Sequence, residues 1–142
     1  MADEQLTNNQ WAIVTTAAFA VVDEGGEVVV SRAWHEIATG EWDEDRHVLT
    51  VSWVDGTNAI RVKTIDPAPV NFNRVFKERV DASVVYSESH PVPGGVLRGA
   101  LRRTPNGELI SQISSDGQLA HTPQLQQQIE WLEAKLWDFV GI

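Results

Sequence analysis

From Trp11 to Ile65 the apolar residues alternate; after the breaker Asp66-Pro67-Ala68-Pro69 they recur at helical spacing. That change of period most restricts what this chain can fold into, because a two-residue repeat loads one face of a strand and a 3.6-residue repeat one face of a helix. Trp11, Ile13 and Thr15 share a face, as do Phe19 and Val21, then Leu49, Val51 and Trp53, then Ile60 and Val62. Asp23-Glu24-Gly25-Gly26, the acidic run 41–45 and Asp55-Gly56 punctuate these runs as turns. The pattern predicts a four- or five-stranded antiparallel meander.

Beyond the breaker, Phe72, Val75, Phe76, Arg79 and Val80 lie at i, i+3, i+4, i+7 and i+8, with Asn71 as N-cap, and predict an amphipathic helix. Ser83 to Ser87 fits either a continued helix or a strand, and its β-branched and aromatic content favours the strand. Leu97 and Leu101 alternate with Arg98 and Arg102 before Thr104-Pro105-Asn106-Gly107 turns the chain into Leu109–Ile113 as a hairpin. Thr122-Pro123 then supplies N-cap and first position of a last helix, where Leu125, Ile129, Leu132, Leu136 and Phe139 form an apolar stripe and Gly141 closes the end. Strands first, helices packed on them and no βαβ alternation predict an α+β fold, mainly antiparallel sheet, with two amphipathic helices, the second C-terminal. Residues 1–10 are polar and aperiodic and are expected to be flexible, leaving 11–142 as a single domain.

Composition narrows function by exclusion. With 20 acidic against 11 basic side chains the formal charge is −9, which argues against nucleic acid and anionic membrane surfaces as general partners. The absence of cysteine removes disulfides, thiolate metal sites and thiol nucleophiles. The uncharged stretch Trp11–Val22 lacks the positive leader of a secretory signal, and no run reaches the ~20 apolar residues of a membrane span, so a cytoplasmic location is expected.

The series Trp11-Ala-Ile-Val-Thr-Thr, Phe19-Ala-Val-Val, Glu27-Val-Val-Val, Ala33-Trp34-His35-Glu36-Ile37 and Glu41-Trp42-Asp43, then a strand to Asp55-Gly56 and a strand into a Phe-rich helix, resembles the bacterial pleckstrin-homology-like (PH-like, GRAM-like) pattern over residues 11–82. The chain is also similar to small proteins of high-GC Gram-positive bacteria that carry a further hairpin and terminal helix. The resemblance implies a partly open seven-stranded barrel closed by a helix, on a scaffold that binds proteins or lipids and rarely catalyses. The chain departs from it in three ways: no first strand is visible in residues 1–10, a second helix is present, and the first hairpin loop, Asp23–Glu27, is acidic where phosphoinositide binders are basic. The hairpin at 96–113 is a candidate to complete the sheet, and phosphoinositide binding is not expected.

Four groups of residues have chemical potential. Glu41, Asp43, Glu44 and Asp45 cluster with His35 and His47, yet no His-x-x-x-His or EF-hand spacing occurs, so a solvated hairpin loop is the first reading and a metal site the second. Arg98, Arg102 and Arg103 form one basic patch, read first as a solvent face and second as an anion-docking stripe. Trp131 and Trp137 fall at the margins of the last helix, where exposed aromatics often mark a protein contact. No Gly-x-Ser-x-Gly elbow or phosphate-cradling loop occurs. The expected function is a non-catalytic interaction module, without cofactor, binding a protein partner or a second copy through Glu41, Asp43, Glu44, Asp45, Arg98, Arg102, Arg103, Trp131 and Trp137. The alternatives are a metal-assisted hydrolase on His35, Asp43 and His47, and a carrier of a small apolar ligand in a pocket under the terminal helix.

Overall fold

The computed structural model describes residues 1–141 and is α+β: three antiparallel sheets and two helices, the second C-terminal. The chain divides into two compact units, Met1–Ser83 and Val84–Ile142, where the sequence pattern suggests one domain from residue 11.

In the first unit, strands β1 (Ala2–Gln5), β2 (Trp11–Val14), β3 (Ala18–Val22) and β4 (Val28–Ala33) form a four-stranded meander. A 3-10 turn at Trp34–Glu36 leads into a second meander of β5 (Ile37–Asp43), β6 (Val48–Trp53) and β7 (Ile60–Lys63). The N-terminal segment expected to be flexible is therefore strand β1. Its register rests on backbone pairing with β2, and it carries too few apolar side chains to show alternation. Leu6, 2% exposed, anchors it in the core. Leu6 bridges Thr64, Thr7 N–H donates to Lys63 O at 2.9 Å and Ile65 N–H to Gln5 O at 3.1 Å, so the end of β1 meets the end of β7 and joins the two meanders.

Helix α1 (Val70–Ser83) buries Phe72, Val75 and Phe76, while its outer face carries the i,i+4 pairs Arg74–Glu78 and Lys77–Asp81. The helix starts one residue before Asn71, the expected N-cap, which instead accepts a hydrogen bond from Arg74 within the first turn. The ring of Phe76 sits edge-on against Phe19 (5.4 Å between centroids) and Trp34 (5.5 Å), and the Trp34 indole N–H donates to Thr15 O at 2.9 Å. β5 passes this ring at Gly40, where a Cβ would stand 2.3 Å from Phe76 Cε1.

Arg32 ties β4 to the turn after β6. Its guanidinium binds Asp55 at 2.6 Å and Glu36 at 3.2 Å, and lies 4.4 Å from the centre of the Trp53 ring. Hydrogen bonds from the Thr57 side chain and backbone, then from Arg32, hold the Asp55 carboxyl well below its ordinary value of 3.8, at about 2.

In the second unit β8 (Val84–Val92), β9 (Gly95–Arg103) and β10 (Leu109–Gly117) form a three-stranded meander in the order β10-β9-β8, with α2 (Pro123–Phe139) packed on it. The undecided segment after Ser83 is thus strand, and the 96–113 hairpin belongs to this separate sheet and does not complete the first. The core is Leu97 and Leu101 of β9 against Leu132 and Leu136 of α2.

Gly40→Ala should lower stability by about 1–3 kcal/mol in chemical denaturation, because Phe76 is wedged between two rings and cannot yield. Acid titration gives a second test. A carboxyl whose folded value is depressed stabilises the fold above its unfolded value and loses that contribution as pH falls. The Asp55 contribution is complete above about pH 4 and fades as pH falls through about 2. Asp55→Asn should flatten the acid limb of the stability curve in that window, and an unchanged limb would refute the assignment.

Candidate interaction surface

Helix α2 begins where Thr122 Oγ1 accepts from Leu125 N–H at 3.1 Å, with Pro123 next in line, and Gly141 beyond its end adopts a φ of 77°. From this start, Leu132 and Leu136 are buried and Leu125 and Ile129 half-buried against the sheet. Phe139, expected to extend the stripe, is instead 56% exposed. Its one ring contact is on β8, where Tyr86 stacks flat on the Phe139 ring at 4.1 Å.

That stack is one rung of a side-chain ladder. Tyr86, Glu88 and His90 lie two apart on β8 and share a face, while Gln128, Trp131, Lys135 and Phe139 form one stripe along α2. Glu88 pairs with Lys135 at 2.8 Å, and His90 Nε2 meets Gln128 Oε1 at 2.7 Å with its ring 4.7 Å from that of Trp131. The rising order on β8 meets a falling order on α2, so the helix runs antiparallel to the strand. The Lys135 ammonium also stands 4.9 Å over the Trp131 ring, and its hydrogen bond to Glu88 raises its pKa. Trp131 keeps 46% of its surface exposed.

Where β8 turns into β9 the ladder opens into a groove of about 600 Å³. Pro91, Val92, Pro93 and Leu125 supply its apolar walls, and His90 and Gln128 its polar end. A concave apolar lining with a few polar atoms and an exposed indole alongside suits a buried apolar anchor from a partner.

Of the residues singled out in the sequence, Trp131 lies in this ladder. Trp137 is half-buried and stands about 240° around the helix from Trp131, on another side. The three arginines are not one patch. Arg98 and Arg102 project from one face of β9 and Arg103 from the other. Arg98 binds Asp116 at 2.6 Å, Arg103 donates to Gly107 O at 3.2 Å, and Arg102 is 4% exposed and bonds Gln112, its pKa lowered by burial. Glu41, Asp43, Glu44 and Asp45 are exposed in the β5–β6 hairpin, where Asp43 Oδ1 accepts from Asp45 N–H at 2.9 Å and Arg46 N–H at 3.1 Å, and His47 closes the turn at a φ of 58°. His35 lies in the 3-10 turn, and among the described residues no group of three or more His, Cys, Asp or Glu side chains is placed to hold a metal ion.

Tyr86, Glu88 and Lys135 escaped the sequence reading as site residues; His90 offers itself there only as a partner for a nearby hydroxyl, and a pocket under the terminal helix is expected only without its lining. The alternation at 86, 88 and 90 is the signal that was present, but it is carried by one aromatic and two polar residues.

Leu132→Ala should cost about 2–5 kcal/mol in denaturation, whereas Trp131→Ala should cost about 0.5–1.5 kcal/mol, the worth of its ring contact alone. Equal losses would place Trp131 in the core. In comparisons with family models, with curated proteins and with solved structures, the chain has no match.

Proposed function

We propose that this chain is a non-catalytic interaction module that docks a protein partner, or a second copy of itself, through the aromatic margin between α2 and β8. The observation that carries the reading is the pair of exposed rings, Trp131 and Phe139, held on one helix stripe beside an apolar groove. Exposed aromatics fixed by neighbouring contacts lose little entropy on binding, which is why such residues dominate interface energetics. The strand order of the first unit, a four-stranded meander, a three-stranded meander and a closing helix, supports a PH-like reading of residues 1–83 and hence a binding scaffold over a catalytic one. The acidic loop of half-buried Asp23 and exposed Glu24 and Glu27 favours a protein over a phosphoinositide as its partner. No helix among the described residues is long and apolar enough to cross a membrane, and a cytoplasmic location is proposed with this function.

The groove supports a second reading, a carrier of a small apolar ligand, because its walls are Pro91, Val92, Pro93 and Leu125. Native mass spectrometry separates the two readings: a retained lipid-like mass supports the carrier. For the docking reading, affinity capture should recover a defined protein with the native chain and at least tenfold less with Trp131→Ala/Phe139→Ala, since losing a hot-spot ring costs 2 kcal/mol or more. Equal recovery by the two would sink the assignment of this surface.

A further inference from the structure

Asp55-Gly56, Asn106-Gly107 and Asp116-Gly117 are the Asx-Gly pairs of this chain. Each sequence favours succinimide closure, because glycine puts no side chain in the way when its backbone nitrogen attacks the preceding side-chain carbonyl carbon. The structure treats the three differently. Asp55 is ionised down to about pH 2 and held by Arg32 and Thr57, and an ionised carboxylate is a poor electrophile. Asp116 is likewise held by Arg98 at 2.6 Å, and the backbone of Gly117 packs so closely that a Cβ would stand 2.4 Å from Gly94 O. Asn106 carries a neutral amide, is exposed in the β9–β10 turn, and precedes a glycine with open space where a Cβ would lie.

A further feature marks Asn106. The Thr104 hydroxyl donates to its Oδ1, the oxygen that takes up negative charge when the carbonyl is attacked. We infer that Asn106 is a self-modification site, deamidated within the folded hairpin with Thr104 as the group that polarises its amide. The Gly107 backbone N–H, which donates to Thr104 O at 2.9 Å, leaves that bond and loses its proton as the nitrogen attacks Asn106 Cγ. The new N–Cγ bond forms, the Cγ–NH₂ bond breaks, and the amide departs as ammonia with the backbone proton. Water then opens the succinimide at either carbonyl, giving aspartate or isoaspartate. The balance is amide plus water to carboxylic acid plus ammonia, with no redox partner.

The product places a carboxylate in the turn one residue before Gly107, whose carbonyl oxygen accepts from the Arg103 guanidinium. The isoaspartyl form lengthens the backbone by one carbon inside the turn that closes the Arg103–Leu109 pair, and so disturbs the register of β9 with β10.

The test is incubation of the full chain at neutral and mildly alkaline pH, with peptide mapping that separates aspartate from isoaspartate. Asn106 should convert before Asn8, Asn9, Asn58, Asn71 or Asn73, and faster at the higher pH. In the native chain Thr104→Val should slow conversion several-fold and Thr104→Ser should restore it, while in concentrated urea all three chains should react alike. Native Asn106 that stays intact while the unfolded chain converts would overturn the inference, because the hairpin would then protect the amide. Equal native rates for the parent and Thr104→Val would overturn the role of Thr104.

Discussion

Each sheet of this chain is apolar on one face, and one helix in each unit takes that face out of water. In the first unit the contact is made by Phe76, which reaches between Phe19 and Trp34 only because β5 is bare at Gly40. In the second it is made by Leu132 and Leu136 on Leu97 and Leu101. Burying each such side chain stabilises by about 1.5–3 kcal/mol, so either helix carries a large part of the net stability of a small unit. A small meander without its helix has too little buried surface to persist.

This dependence shapes the proposed docking surface. α2 cannot serve a partner with the residues that hold its own sheet, so the surface must lie on the helix flank. The ladder of Tyr86–Phe139, Glu88–Lys135 and His90–Trp131 occupies that flank. It makes the exposed rings rigid without burying them. A mutation in the ladder therefore tests the proposed docking at a small cost in stability, and one in the leucine stripe tests folding.

The sequence was legible where burial is one-sided. Alternation at Phe19–Val21, Leu49–Trp53 and Ile60–Val62 and the helical stripes at 72–80 and 125–136 were correct because solvent lies on one side of each element and core on the other. In β2 the faces are reversed, since the small Ala12 and Val14 are fully buried while Trp11, expected on the core face with Ile13 and Thr15, is 39% exposed. Legibility failed where a different force sets the structure. β1 is held by backbone pairing, so Asp3, Glu4 and Gln5 look like a frayed end. Arg102 reads as a surface charge because it precedes Arg103 and alternates with Leu101 in step with Arg98, yet it is buried and bonded to Gln112. Phe139 fits the helical stripe by number, and its ring partner is a tyrosine more than fifty residues earlier in the chain. Pairings of that kind depend on where β8 lies beside α2, which local pattern does not encode.

The charge of the first unit has a structural origin that alters how its acidic loops should be understood. Asp23 accepts backbone N–H bonds from Gly25 and Glu27, Asp43 from Asp45 and Arg46, Asp55 from Thr57, and Asp66 from Ala68. Aspartate is favoured at such turns because its short carboxylate satisfies backbone donors that the bend leaves unpaired. Four of the fourteen acidic side chains of residues 1–83 thus follow from building meanders with tight, Asp-capped turns. The acidic run 41–45 loses its claim as a dedicated docking site to the extent that Asp43 is already occupied in closing its own hairpin. Trp131 and Phe139 are also engaged, with His90, Lys135 and Tyr86, but those contacts still leave 46% and 56% of them exposed as large apolar surface, and that is why the functional proposal rests on these two rings and leaves the acids aside.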